Sequence, residues 1–382
     1  MIAVTGCGLV SSLGLDVVNA CAASRAGIVR TSGMDVYPVR SSADGSVGGV
    51  VCHAVPLLTD GFEGEARLVR LVQGGLEDLA RQCTDAPWKT RRTAFYLSVP
   101  SLERLATGAE LVAEEGKRQQ MQELAKEKRD PVAGFERAGR LLSQGARLAH
   151  WSGKPELKWC TDSGHTGVAE AMRRASTDLQ GGGCDLAIVG GVDSYLDEDT
   201  LAWLELTGRL KTPDRANGLQ PGEACGFLLL ETEESAAKRM PKRRVCLDAV
   251  CLEEEAMSLV SGGQSSGVAL AEVVHHAASV SSWGREAPAR ISHDLNGETY
   301  RAHEWGLALL RLAARSKVLA EPEVWFPSAS FGSTGAATGA VQACVAAQAY
   351  ARPHLSAKPL AVVSSADGRP RGCFVLQPKA FS

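Results

Sequence analysis

No stretch of this 382-residue sequence approaches the roughly 18 uninterrupted apolar residues of a membrane-crossing helix, so no membrane partner is expected. The first residues, MIAVTGCGLVSSLG, lack a basic segment leading into a long apolar core; no secretory signal is read there, and the expected compartment is cytoplasmic. Excess charge of one sign is also missing. With 41 basic against 44 acidic residues, the formal charge of −3 gives no reason to expect nucleic acid as a partner. The eleven cysteines, at 7, 21, 52, 83, 160, 184, 225, 246, 251, 344 and 373, are odd in number and contain no CxxC pair. That scatter points to reduced, mostly buried thiols and away from a disulfide framework or a metal site. The glycine-rich start follows GxGxxS and not GxGxxG, and no acidic residue closes a second strand at the expected distance. A nucleotide-dependent α/β enzyme is the weakest of three readings on that account, with a tight strand-to-helix turn as the ordinary alternative.

Hydrophobic residues at 45%, charged residues at 22% and 40 glycines describe a globular chain with many tight turns. Its length suits two or three ordinary domains or one large α/β unit. A short apolar strand, Ile2 to Thr5, precedes a Gly6/Gly8 turn and a helix from about Asp16 to Ser24. Leu68, Leu71, Leu76 and Leu79 fit an amphipathic helix with Asp60 or a neighbour as cap, and RTAFYLSVP reads as a buried strand. Leu102 to Arg129 is helical in pattern and mixed in charge, which suits a solvated helix outside the core. CDLAIVGGVDSYL is a strand ending near Asp193, and strands followed by helices recur, so the expected sheet is largely parallel and covered by helices. The basic segment ESAAKRMPKRR, before RRVCLDAVCLE, marks the expected boundary between a half at 1–240 and a half at 241–382. In the second half GVALAEVVHHAA, EWGLALLRLAAR and GAATGAVQACVAAQAYA read as helices and ARISHDLNG as a strand with its exit loop. PLAVVSSADGRPRGCFVLQ carries a hairpin-like DG turn.

Four segments in order, AVTGCGLVSSLGLDV, SGHTGVAEA, CDLAIVGGVDSYL and GLQPGEACGFLLLE with its Gly222-Glu223 pair, resemble landmarks of the β-ketoacyl-acyl-carrier-protein synthases, the ketosynthases of the thiolase fold. The resemblance is close up to about residue 235 and loose beyond it. It implies a thiolase-like five-layered α-β-α-β-α arrangement of two similar halves with mixed, mostly parallel sheets and an active site between them. It further implies a homodimer, or a heterodimer with a ketosynthase-like subunit. No resident cofactor is implied; the acyl-phosphopantetheine of an acyl carrier protein would be substrate.

Such enzymes acylate a cysteine at a helix N-terminus, decarboxylate a malonyl unit and join the carbanion to the acyl thioester. Helix N–H groups favour a thiolate there. Two side chains, His-His or His-Asn, donate hydrogen bonds to the developing enolate, each worth about 3 kcal/mol or more. Laid on the family segment, SGHTGVAEA puts Thr161 on the nucleophile position and Cys160 one residue early, beside Asp162, whose charge disfavours a thiolate. Ser163 is a second nucleophile candidate, and His165 is a base or donor with Glu298 or Asp162 as its partner, or else a structural histidine. In DLNGETYR, Asn296 stands where the first histidine is expected, with Glu298 two residues on; Asn296-Gly297 reads equally as a tight turn. His293 is expected to pack. In PSASFGSTGAATGA, Gly332 occupies the second histidine position, no lysine precedes it, and Ser333 or Thr334 is expected to cap. The family's terminal Gly-Phe-Gly-Gly loop becomes SSADGRPRG.

Asp294, Asn296, Glu298, Tyr300, Arg301 and Glu304 are concentrated enough to form an ion-pair network or a site unlike the family's. Arg209, Lys211 and Arg215 read as a carrier-protein patch or a solvated loop. The leading expectation is therefore a ketosynthase-like protein of fatty acid or polyketide metabolism with an incomplete Cys-His-His triad: a non-condensing or chain-length-factor-like acyl-binding subunit. The alternative is a divergent acyltransferase or condensing enzyme using Cys160 or Ser163 with His165 and Asn296.

Overall fold

The computed structural model describes residues 1–101, 103–112, 114–127, 131–239, 245–285, 289–351 and 358–378. The first half runs β1 (Ile2–Ser11), α1 (Val17–Arg25), β2 (Ser32–Arg40), β3 (Val47–Cys52), α2 (Pro56–Thr59), α3 (Gly64–Gln82), β4 (Thr93–Ser98), α4 (Glu115–Glu127), α5 (Pro131–Leu148), β5 (Glu156–Thr161), α6 (Gly167–Gln180), β6 (Leu186–Ser194), α7 (Glu198–Leu206), β7 (Glu223–Thr232) and α8 (Glu233–Arg239). The second runs β8 (Val245–Glu254), α9 (Val268–Val280), β9 (Arg290–His293), α10 (Thr299–Arg315), β10 (Glu323–Trp325), α11 (Ser328–Phe331), α12 (Thr338–Tyr350), β11 (Leu360–Ser365) and β12 (Pro370–Pro378). The boundary expected at 240/241 falls in residues 240–244, outside the described residues, as do Leu102 and Arg129 at the ends of the expected charged helix.

Ten strands form one sheet, in the order β10-β9-β11-β12-β8-β1-β7-β6-β4-β5. From the centre outward each half places its first, fifth, fourth, second and third strand, so the same topology occurs twice. β4 pairs in parallel with β5 and β6, while β7 runs antiparallel to both β6 and β1. The second half repeats this around β9, β10, β11 and β12. The two copies join where Ile2, Ala3 and Val4 pair antiparallel with Leu247, Cys246 and Val245.

Alternation along the strands builds the layers. In β4, Ala94 and Tyr96 face a central core while Phe95 and Leu97 face an outer one built from α3 and α5. In β11, Leu360 and Val362 face the same central core, and Ala361 and Val363 face a second outer core with α9 and α10. α6 and α12 lie in the middle. The order is α3/α5, sheet, α6/α12, sheet, α9/α10, the five layers that the resemblance implied.

The glycine-rich start differs from expectation. There is no turn at Gly6 and Gly8; β1 continues through both, paired with Leu229 and Phe227 of β7. A Cβ on Gly6 would lie 2.0 Å from Cys83 Sγ, and one on Gly8 would lie 2.4 Å from the Leu79 nitrogen and 2.7 Å from the Gly75 oxygen. These glycines let α3 pack directly onto the strand, and no phosphate cradle forms. Asp78 of α3 reinforces the contact, its Oδ2 accepting from the amides of Leu9 at 2.9 Å and Val17 at 2.8 Å. Asp60 does not cap α3. It follows α2, and Glu63 stands before α3 without a side-chain cap bond. β2 and β3 form a separate two-stranded sheet.

Gly8→Ala should lower stability by about 1–3 kcal/mol or more, because the obstruction is backbone. Gly48→Ala, at an exposed position with open space around it, should change stability by no more than about 0.5 kcal/mol. Urea midpoints of the two variants check both expectations.

Candidate functional site

The carboxyl ends of parallel strands from both halves converge, the usual place for a site in an open α/β sheet. From the first half come β5, ending at Thr161, and β6, which carries Asp193; from the second come β9, followed by Asp294, and β11, followed by Asp367. After β5 the chain reverses at Gly164, with φ +58°, into a single 3₁₀ turn and then α6. Gly167 allows the start of α6 to sit on Ser98, where a Cβ would approach Oγ to 2.2 Å. This turn buries His165 and leaves Cys160 behind on β5.

Cys160 packs against the outer core of α3 and α5, not the converging strand ends. Burial, then the charge of Asp162, pushes its thiol up to about 11. Ser163 Oγ is engaged by Thr161 Oγ1 at 2.8 Å and by Glu170 Oε2 at 3.0 Å. Burial raises the Glu170 carboxyl, with the hydroxyls of Thr161 and Ser163 opposing it.

The partner of His165 is Asp294, not Glu298 or Asp162. Nδ1 lies 2.8 Å from Asp294 Oδ2. The same oxygen accepts from Arg301 Nη1 at 3.0 Å and from the Ser365 amide at 2.9 Å. Arg301 also binds Asp367 Oδ1 through Nη2 at 2.8 Å. Arg209 forks onto two carboxylates, reaching Glu298 through Nε at 2.6 Å and Asp367 through Nη1 at 2.8 Å. It also lies 5.0 Å from the ring centroid of Trp203. Three carboxylates, two guanidiniums and one imidazole therefore form a continuous network between the halves. Burial alone would raise the Asp294 and Asp367 carboxyls, but Arg301 holds the first, and Arg209 with Arg301 the second, well below the usual carboxylate range. Burial likewise opposes the charge of Arg209, yet Asp367 and Glu298 raise its pKa well above the ordinary value.

Arg209 is thus no surface patch, being 4% exposed inside an ion pair, whereas Lys211 and Arg215 are exposed. His293 packs as expected, its ring 4.3 Å from that of Trp305, and burial pushes it down to about 4. Its Nδ1 accepts from the Leu295 amide at 3.1 Å. The 3.2 Å approach of that nitrogen to Asp294 Oδ1 is therefore a contact between two acceptors and no ion pair.

Asn296 performs the turn role. Its Oδ1 accepts from the Glu298 amide at 3.2 Å, and Gly297 has φ +98°. Its Nδ2 donates to Glu298 Oε2 at 2.8 Å and to Ser333 Oγ at 3.3 Å. Gly332 cannot carry a reaching side chain, because its φ is +73° and a Cβ would lie 2.6 Å from the His53 ring. Ser333 is the residue of this loop that meets Asn296, and it does not cap. Thr334 Oγ1 lies 3.2 Å from Thr338 Oγ1 and makes no cap bond.

A cavity of about 190 Å³ adjoins the network, lined by Arg104, Ser163, His165, Tyr195, Trp203 and Asp367 among others. Arg104 is paired with Asp193 and donates through Nη1 to the Ser194 carbonyl at 3.1 Å. A second cavity of about 280 Å³ shares Pro100, Ser101 and Arg104 with the first. Arg104 and Tyr195 had no motif to single them out in the sequence.

Arg301→Met, which leaves Asp294 and Asp367 short of their shared cation, should cost about 3–5 kcal/mol. Because both carboxyls are lowered on folding, the wild type keeps their stabilisation above a pH of about 4 and loses it as pH falls further. Arg301→Met should be flatter over that acid range. Urea unfolding between neutral pH and the acid limb measures both effects.

Residues 101–236 match the family model described as the N-terminal domain of β-ketoacyl synthases. The whole fold resembles solved ketosynthases. An oxazolomycin ketosynthase domain from Streptomyces albus JA3453 superposes with a TM-score of 0.69 at 14% identity, over 100% of this chain and 75% of that one. The ishigamide ketosynthase/chain length factor gives 0.65 at 19% identity, over 99% of both chains. A type II polyketide acyl-carrier protein in complex with its ketosynthase, bound to the hexaketide, gives 0.67 at 14% identity over 99% of both. A match to the β-ketoacyl synthase N-terminal domain over residues 101–236 therefore sits within a fold that resembles the solved ketosynthases along the whole chain.

Proposed function

We propose that the protein is a non-condensing, chain-length-factor-like acyl-binding subunit of polyketide or fatty acid assembly, working beside a competent ketosynthase. One observation carries this reading. The site between the halves is occupied by the His165–Asp294–Arg301–Asp367–Arg209–Glu298 network, while Cys160 faces the outer layer. A condensing enzyme needs a thiolate at the helix start and donors free for an enolate. With its thiol near 11, Cys160 would be about one part in a thousand thiolate at pH 8. Asn296 and Ser333 are already bonded to each other. The likeness to the ishigamide ketosynthase/chain length factor supports the same reading.

The partner subunit would bind at β5. β5 is an edge strand of the ten-stranded sheet, and an open strand edge is a template for pairing with another chain. Beside it lies a groove of about 760 Å³ lined by Trp159 of β5, Arg173 and Arg174 of α6, and Glu253 and Glu254 of β8. The mixed charges suit a protein surface more than a small apolar ligand. A ketosynthase subunit on β5 would cover both the edge and the groove.

Incubation with octanoyl-N-acetylcysteamine should leave the intact mass unchanged, and co-expression with the ketosynthase of the same source should give a stable heterodimer by analytical ultracentrifugation. An octanoyl adduct on Cys160 or Ser163 would favour the acyltransferase reading. A strict monomer that takes up no ketosynthase would remove the subunit reading.

A further inference from the structure

The 190 Å³ cavity is lined by two side chains, His165 and Tyr195, each with a polar atom that bonds no described residue. His165 is committed to Asp294 through Nδ1; since the carboxylate only accepts, that nitrogen carries the hydrogen, and Nε2 has no partner among the described residues. Tyr195 is 5% exposed and lies beneath Arg104, whose guanidinium carbon is 4.4 Å from the ring centroid. Its hydroxyl also has no partner among the described residues, and burial raises its pKa, so the phenol keeps its proton and remains a donor. No cysteine lines this cavity. Among the other hydroxyls that line it, that of Ser163, two residues before His165, is held by Glu170 and Thr161.

A base nitrogen fixed by a carboxylate, a phenol donor and the absence of a thiol together point to water as the nucleophile. We propose that this cavity hydrolyses short acyl thioesters, with His165 activating the water and Tyr195 donating to the thioester carbonyl oxygen. The proposal rests on the reading that the protein handles acyl thioesters. In the step, water oxygen forms a bond to the carbonyl carbon and gives a proton to His165 Nε2. The carbonyl oxygen bears the developing charge against the Tyr195 hydroxyl. The carbon–sulfur bond then breaks, and the proton on Nε2 passes to the departing sulfur. The products are a carboxylic acid and a thiol, with no change of oxidation state. The size of the cavity restricts the acyl group: after a water of about 30 Å³, room remains for a few carbons, which favours acetyl over long chains. Such an activity would clear short stalled acyl groups from a carrier without forming an acyl-enzyme.

The test follows thiol release from acetyl-N-acetylcysteamine and decanoyl-N-acetylcysteamine in ¹⁸O-water. Wild type should release thiol from the acetyl ester faster than buffer alone, place one ¹⁸O in the acetate, and act poorly on the decanoyl ester. His165→Gln should lose about 100-fold or more of kcat/KM. Tyr195→Phe should lose about 10- to 100-fold through kcat with its melting temperature little changed, since that hydroxyl bonds nothing in the fold. If His165→Gln fails to fold, Tyr195→Phe decides. Wild-type release no faster than buffer, an unchanged rate in Tyr195→Phe, or an acetyl adduct on Ser163 would overturn the proposal. Lack of hydrolysis with an intact ketosynthase heterodimer removes this activity alone, whereas failure to bind a ketosynthase counts against the subunit reading and leaves the hydrolysis result standing.

Discussion

Burying three carboxylates and two guanidiniums between the halves of one protein is possible only because each is bonded to others. Removing any one leaves a desolvated charge without its counterpart. Arg209 is the hinge of this arrangement. Coming from the loop after α7, it binds Glu298 at the start of α10 and Asp367 in the β11–β12 turn. Arg301 closes the circuit by joining Asp367 to Asp294, and Asp294 in turn holds His165. The ion pairs thus lie at the carboxyl ends of parallel strands from both halves. The network ties the two halves together through charge-assisted hydrogen bonds.

Symmetry explains why the network forms at that place. Both halves carry the same strand order, so the carboxyl ends of their parallel strands meet across the central helices. Close approach there depends on small residues: a Cβ on Gly191 would lie 2.3 Å from the Ala336 oxygen, and one on Gly339 would lie 2.8 Å from Val168. Asp193 spans the same gap, bonded to Arg104 on one side and accepting from the Ala336 amide at 2.8 Å on the other. Packing and polar pairing therefore support each other at the interface between the halves.

Much of the fold was legible because it rests on local periodicity and turn chemistry. The apolar runs at 186–194 and 223–232, the DG turn before Arg369 and the small-residue helix at 338–350 all behave as their patterns dictate. Gly6 and Gly8 misled because glycine serves close packing as well as turning, and only α3, some seventy residues away, distinguishes the two uses. The acidic and basic residues of DLNGETYR were visible as a cluster. Their partners were not, since His165 and Asp294 are separated by 129 positions and Arg209 and Asp367 by 158. Arg209 looked like a surface residue because its neighbours Lys211 and Arg215 are surface residues, and no local pattern distinguishes a buried arginine from an exposed one. Cys160 drew attention by its residue type, although the one-residue displacement along β5 had already turned it towards the opposite face.

The first strand has a further consequence for how the molecule comes into being. β1 is central to the finished sheet, yet its two neighbours are β7 and β8, whose residues begin at 223 and 245. During synthesis an apolar ten-residue segment therefore leaves the ribosome long before either of its flanks exists. Pairing at such sequence separation is slow, and an unpaired strand is prone to wrong association. β1 is thus made well before either of its native neighbours, which makes this strand the natural point for a chaperone to guard.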